Sequence, residues 1–478
     1  MLSGTKTDNE KFRLDDEFFQ KGYLKAYLDI KSKPSSKVGE VIDILTDYHA
    51  NGSYENLNNH VKILDQKDYA YMIRSTDLEK RDFQNDVKYV SRSAYEFLSK
   101  TKLYGGEILI NKIGSPGRVY LMPSLDKPAT LGMNLFMIRL KKDSNFNEKF
   151  VWAFFHSSLG QKIIYRKVNG TVPLTIDKEA VKSLYLPKLS KKFQDFIGTS
   201  VEKSECCLKE SKITYNKAES LLLKSLGLEN FFPSNKNTNI KSFKDSFATT
   251  GRLDAEYYQP KYEEVIAHIK SQPHAKLSDL VAIKKSIEPG SDEYSENDEG
   301  LPFLRVADYN KFGITEPQKK LKTSFVVENQ SKLDSLRPKA ETILFSKDGS
   351  VGEAYCLDKD SNFITSGAIL HLCVFDKKKV LPDYLTLALN SKLVRMQAER
   401  DAGGSIILHW RVGEIEEVLI PLIDPKTQSQ ISLLIQESFA LKSKSEKLLE
   451  LAKKAVEMAI EESEEEAMKF INQQFYSN

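Results

Sequence analysis

Along the C-terminal part of the chain, Ile431, Leu434, Ser438, Leu441, Ser445, Leu448, Ala452, Ala455 and Ala459 recur at steps of three and four. That spacing predicts one long helix with a heptad seam. The pattern also stands 234 residues earlier, in Ile197, Ser200, Ser204, Cys207, Ser211, Thr214, Ala218, Leu221 and Ser225, with Ile197/Ile431, Ser204/Ser438, Ser211/Ser445 and Ala218/Ala452 identical. A single amphipathic helix usually means ordinary core packing. Two matched seams rich in Ser and Ala predict instead that the helices pair closely with each other, antiparallel. The first, from Lys191 to Leu226, covers 36 residues, about 54 Å at ~1.5 Å per residue.

Ahead of each long helix the same elements recur in the same order. Phe18, Phe19, Tyr23 and Tyr27, and later Tyr257, Tyr258, Tyr262 and Ile266, place a ring-rich stripe on a short helix, read as docking onto its own domain. Glu107 to Tyr120 reads as two strands around the turn Gly114-Ser115-Pro116-Gly117, and Thr342 to Leu357 repeats it around Gly349-Ser350-Val351-Gly352. Helical stretches follow at Lys149–Lys167 and Asp383–Ala398. After them come the loops Asn169-Gly170-Thr171-Val172-Pro173 and Gly403-Gly404-Ser405-Ile406-Ile407, then β-like runs into Pro187 and Pro421. Arg13-Leu14-Asp15 returns as Arg252-Leu253-Asp254, 239 residues on. A period this long marks a duplicated domain, because solenoid units run to roughly 20–50 residues. Gly227 is a helix stop, and the polar, breaker-rich stretch Pro233 to Lys244 reads as a flexible linker between the halves. Two similar domains on one chain form a pseudo-dyad, which suits a ligand read at two places.

A chain of 478 residues, 40% hydrophobic, is long for one core and ample for two domains with connecting helices. No apolar run approaches the ~18 residues of a membrane span, and the first residues lack the apolar core of a signal peptide, so the cytoplasm is the expected compartment. Cys206, Cys207, Cys356 and Cys373 lack metal-ligand spacing and read as reduced thiols. Net charge is only +3, but Glu461, Glu462, Glu464, Glu465 and Glu466 concentrate acid near one end and leave +8 elsewhere. Basic residues gather at Lys141-Lys142, Lys191-Lys192, Lys236 to Lys244 and Lys377-Lys378-Lys379. Each cluster alone reads as solvated surface; jointly placed they would make a nucleic-acid-facing stripe.

Enzyme signatures are missing. No phosphate-cradling Gly-x-x-x-x-Gly-Lys-Ser/Thr or Gly-x-Gly-x-x-Gly loop occurs, nor the Asn/Asp-Pro-Pro-aromatic tetrapeptide of amino-methylating enzymes, nor a metal-binding histidine doublet. A binding protein is the better reading. The candidate contacts to DNA are Arg74 and Arg305 for guanine edges. Lys112 and Lys347, with Ser115 and Ser350 in the turns and Thr171 and Ser405 in the late loops, are candidates for phosphate. For the glycine turns the plainer reading, tight hairpins that need positive φ, stands ahead of phosphate binding. Arg305 lies close to Asp308, so a surface ion pair is about as good a reading for it.

The order of parts resembles the specificity subunit of Type I restriction-modification systems. The residues that carry the likeness are Arg252 to Pro260, the strand-and-turn ending Gly349-Ser350-Val351-Gly352, and Ile420-Pro421-Leu422 leading to Gln428; Leu186-Pro187 and Gln194 are the weaker first copy. The resemblance implies a mixed α/β (α+β) fold, with target-recognition domains at 1–190 and 251–424. Spacer helices at 191–228 and within 425–478 would form an antiparallel coiled coil between them, with a linker at 229–250. It also implies a non-catalytic subunit that reads a bipartite double-stranded DNA target, one domain to each half. Two methyltransferase subunits bringing S-adenosylmethionine would dock on it, with motor-nuclease subunits using ATP and magnesium. No cofactor or metal is expected on this chain. A self-contained DNA-modifying enzyme and a coiled-coil protein scaffold remain as alternatives.

Overall fold

The computed structural model describes residues 13–476 apart from 82, 84, 85, 171, 230, 237, 296–298 and 405–407. The chain divides into two compact units, Met1–Cys207 with Ser443–Asn478, and Leu208–Lys442. Two continuous helices, Lys191–Ser225 and Pro425–Glu461, of 35 and 37 residues, each contribute to both units.

In the first unit the main sheet is antiparallel throughout, in the order Ile42–Asp47, Leu135–Leu140, Ile108–Asn111, Val119–Leu121. Ile108–Asn111 is buried on both faces, which is why it reads as an unbroken apolar run. A second sheet, Lys88–Val90, Ala70–Ile73, Ala129–Leu131, Lys102–Leu103, contains a central parallel pair. The main core is closed by helices. Phe150, Phe154, Phe155 and Ile164 pack with Phe193, Ile197 and Val201 of one long helix and with Ala452, Ala455, Val456 and Ile460 of the other. The long helices run antiparallel here: Ser190 bonds to Glu464, while Ser204 bonds to Ser445. A terminal helix, Glu464–Tyr476, adds Ala467 and Ile471 to the same core.

In the second unit the main sheet repeats the plan, Val281–Lys285, Ile369–Val374, Ile343–Ser346, Ala354–Cys356, again antiparallel. Its small sheet, Lys319–Leu321, Leu301–Leu304, Ile364–Thr365, keeps the parallel pair. Tyr215, Ala218 and Leu222 of the first long helix meet Ile431 and Ile435 of the second within the unit's core, and Ser211 bonds to Ser438.

Three sequence expectations need correction. Each helical stretch after the sheet is two helices, Glu148–His156 with Ser158–Tyr165, and Pro382–Asn390 with Lys392–Asp401. The breaks fall at Ser157 and Ser391, both in extended backbone with ψ of 160° and 157°. Ser157 Oγ accepts from Gly160 N–H at 3.1 Å and so restarts the helix. At Gly160 a Cβ would lie 2.0 Å from the Phe154 carbonyl, so the tight turn between the helices depends on that glycine. The segment Pro233 to Lys244 is held rather than loose among its described residues: Ser234 N–H reaches Glu264 at 2.7 Å, Asn239 reaches Tyr258 O at 2.9 Å, and Lys241 pairs with Glu263 at 2.5 Å. Finally, Ser225 is exposed, and Leu222 and Leu226 take the buried positions at that end of the helix.

Candidate nucleic-acid interface

Both glycine turns are strained in the way their sequence predicts. Gly114 and Gly117 have φ of +87° and +85°, and Gly349 and Gly352 have +74° and +82°, conformations that favour glycine. Each turn is latched by a polar side chain from the strand before it. Asn111 Nδ2 donates to Ser115 O at 3.1 Å, and Ser346 Oγ donates to Ser350 O. The late loops dock on these turns in the same manner: Gly114 N–H donates to Leu174 O at 3.1 Å, and Gly349 N–H to Leu408 O at 2.9 Å. Turn and late loop thus form one feature in each unit, with Ser115 and Ser350 exposed on it. Thr171 and Ser405 lie outside the described residues.

The lysines of these turns are both ion-paired. Lys112 is buried and pairs with Asp47 at 2.9 Å, and Lys178 pairs with the same carboxylate at 2.9 Å, along a groove floored by Phe136. Burial pushes the Asp47 carboxyl up, but hydrogen bonds from Lys178 and Lys112 outweigh it and leave the group below the usual carboxylate range. In the second unit the strand position of Asp47 is held by Lys285, and Lys347 pairs with its neighbour Asp348, which His409 also contacts at 2.8 Å. The two lysines pair with different acids, and in the first unit the single carboxylate of Asp47 serves two ammonium groups. Asp47 escaped the sequence reading because nothing local links it to Lys112, 65 residues away.

The two arginines occupy equivalent positions, each at the end of a small-sheet strand and before a short helix. Arg74 N–H donates to Asp77 at 2.8 Å, and Arg305 N–H to Asp308 at 2.9 Å. Both aspartates are almost fully buried. The guanidinium groups differ. Arg74 is gripped by Asp77 through Nε at 3.2 Å and Nη2 at 2.7 Å, while Nη2 also meets the Asp86 carbonyl. Among the described residues, the guanidinium of Arg305 is held only through Nε, at 3.3 Å from Asp308. The Arg-x-x-Asp spacing stands in the sequence of both copies.

Elsewhere the duplicated residues build the frame of each unit. Arg13 and Arg252 pair with Asp15 and Asp254 and donate to the carbonyls of Arg166, at 3.1 Å, and Asp401, at 2.9 Å. The aromatic stripe docks inward: the guanidinium of Arg166 lies 3.9 Å from the Phe18 ring centre and 4.2 Å from that of Tyr27. Gln194 and Gln428 do one job twice. Their carbonyls accept from Asn147 N–H at 3.0 Å and Leu381 N–H at 3.1 Å, and their amides donate to Leu189 O and Ile423 O at 2.9 and 3.0 Å. These bonds tie the start of each long helix to the globule before it. Ile197, Ser204, Ser445 and Ala452 are buried in the first unit, and Ser211, Ala218, Ile431 and Ser438 in the second. Ser204 Oγ donates to Ser445 O at 2.8 Å, and Ser438 Oγ to Ser211 O at 2.8 Å, so the seam hydroxyls are satisfied without water. Among the described residues, no group of three or more His, Cys, Asp or Glu is placed to hold a metal, and no helix is long and apolar enough to cross a membrane.

The family model for the Type I restriction modification DNA specificity domain matches residues 274–451. No curated protein matches the chain. Solved structures similar to it include the Type I restriction-modification S subunit from M. genitalium, 14% identical, covering 91% of this chain and 95% of that one, with a TM-score of 0.38. Another is the HsdS subunit from Thermoanaerobacter tengcongensis, 14% identical, covering 90% and 97%, with a TM-score of 0.27. The stretch that matches the Type I restriction modification DNA specificity domain contains the second main sheet, glycine turn, late loop and glutamine-tied helix, and the first half of the sequence repeats each of these parts.

Proposed function

We propose that the chain is the DNA-reading subunit of a Type I restriction-modification complex, with each unit reading one half of a bipartite target and no chemistry of its own. The observation that carries this is the duplication itself: each unit repeats one turn-and-loop feature, one arginine cap and one helix tie, while their surface side chains differ. A frame kept twice with different contacts suits two half-sites of different sequence. The long helices serve as the spacer. Methyltransferase subunits would bring S-adenosylmethionine, and motor-nuclease subunits ATP and magnesium. A chain that only reads needs such partners.

The test is the methylated motif of a host carrying the complete system, mapped base by base. Exchanging Arg252 to Pro421 with a related chain should change one half of the motif and preserve the other half. Inserting one heptad into both long helices should widen the gap by ~10 Å, about three base pairs. Both halves changing on exchange, or an unchanged gap, would refute the division of labour. S-adenosylmethionine binding by the isolated chain would favour a self-contained enzyme.

A further inference from the structure

The duplicated arginines are alike in backbone and unlike in chemistry. In the first unit Asp77 grips the guanidinium through two nitrogens, Asp86 lies 3.8 Å away, and the nearby Lys88 is paired with Asp65. The cations of that small sheet are answered by acids. In the second unit, among the described residues, Nη1 and Nη2 of Arg305 have no hydrogen-bond partner, and the side chain is 37% exposed. Asp308, 5% exposed, takes the backbone N–H and Nε of Arg305 and so fixes how the group points. The strand beside it carries exposed Lys319, paired in register with Phe303 and lying 5.5 Å from the Tyr294 ring centre. A fixed guanidinium with its outer edge open, beside a lysine on an aromatic ring, has the chemistry of a base contact flanked by a phosphate contact.

We infer that Arg305 reads a guanine through Nη1 and Nη2 in the half-site of the second unit, that Asp308 is its positioning residue, and that Arg74 is a structural cap which reads nothing. This rests on the DNA-reading function proposed above and adds the base, the residue and the asymmetry. Two parallel bonds from Nη1 and Nη2 match the O6 and N7 acceptors of guanine, and a good bidentate pair discriminates by roughly 5- to 150-fold against other bases.

The experiment is selection of bound duplexes from a random DNA pool by the full chain, followed by sequencing. The unaltered chain should enrich a bipartite motif with a guanine in one half. Arg305→Ala should erase the preference at that position only, and Arg305→Lys should weaken it there, because a single ammonium replaces the planar fork. Asp308→Asn should lower the same preference by a smaller factor with an unchanged melting temperature, a pattern that a merely structural aspartate would not give. Arg74→Lys should leave every position as it was. Enrichment in which the guanine survives Arg305→Ala, or is lost on Arg74→Lys, would overturn the assignment while leaving the DNA-reading function standing. Failure of the unaltered chain to enrich any motif would overturn both.

Discussion

Ala452 tests whether the seam is dry. Its side chain has no exposed surface and sits in a core with Phe193, Ile197 and Val201. Ala452→Glu would add four heavy atoms beyond Cβ in a close-packed layer and bring a charge with no partner in that layer. Overpacking costs about 1–3 kcal/mol and an unpaired buried carboxylate several more, so a loss of about 4 kcal/mol is the central expectation. At about 2–4 °C per kcal/mol for a unit of this size, the melt should fall by roughly 10 °C. The introduced carboxyl would have its folded-state pKa raised by burial. The penalty is therefore full above that raised value and shrinks as the pH falls toward the unfolded value. Ala440→Glu is the control, because Ala440 lies on an exposed face of the same helix, where surface changes stay within about 0.5 kcal/mol. The assay is far-ultraviolet circular dichroism against temperature at pH 7 and pH 5. Melts for the two variants within 2 °C of each other, a margin well inside the roughly 10 °C expected, would show that the face carrying Ala452 is wet and that the seam argument fails.

Asp47→Ala should cost about 3 kcal/mol at pH 7, since it leaves Lys112 buried without its carboxylate. In the unaltered chain that contribution is complete above the unfolded carboxylate pKa near 3.8 and fades as pH drops through the depressed folded value, which urea melts at several pH values would follow. Gln194→Ala strands the Asn147 N–H and removes the tie to Leu189 O, a loss of about 2 kcal/mol readable by chemical denaturation; no change would mean that water replaces the amide. Ser204→Ala should cost about 1 kcal/mol by leaving the Ser445 hydroxyl unsatisfied, and Ser445→Ala added to it should recover part of that loss in a double-mutant cycle.

The sequence by itself determined whatever depends on local periodicity or on repetition. The two seams, the two glycine turns and the order of parts were legible because heptad spacing, positive-φ glycine and a copied segment are properties of neighbours along the chain. The seam reading failed at the end of the first helix, and Cys207, Leu434 and Leu441 are only partly buried. A straight α-helix drifts relative to a strict heptad repeat, so Leu222 and Leu226 became buried where Leu221 and Ser225 were expected. Tertiary structure alone decided the partners of charges. Lys112 met Asp47 because both flank the strand Leu135–Leu140, whereas Lys347 turned to its chain neighbour Asp348. It also decided the make-up of the units, since each long helix gives one end to each of them. The difference between Arg74 and Arg305 was set in the same way: sequence placed an aspartate three residues after both, but only the fold brought Asp86 to the first and left Nη1 and Nη2 of the second without a hydrogen-bond partner among the described residues.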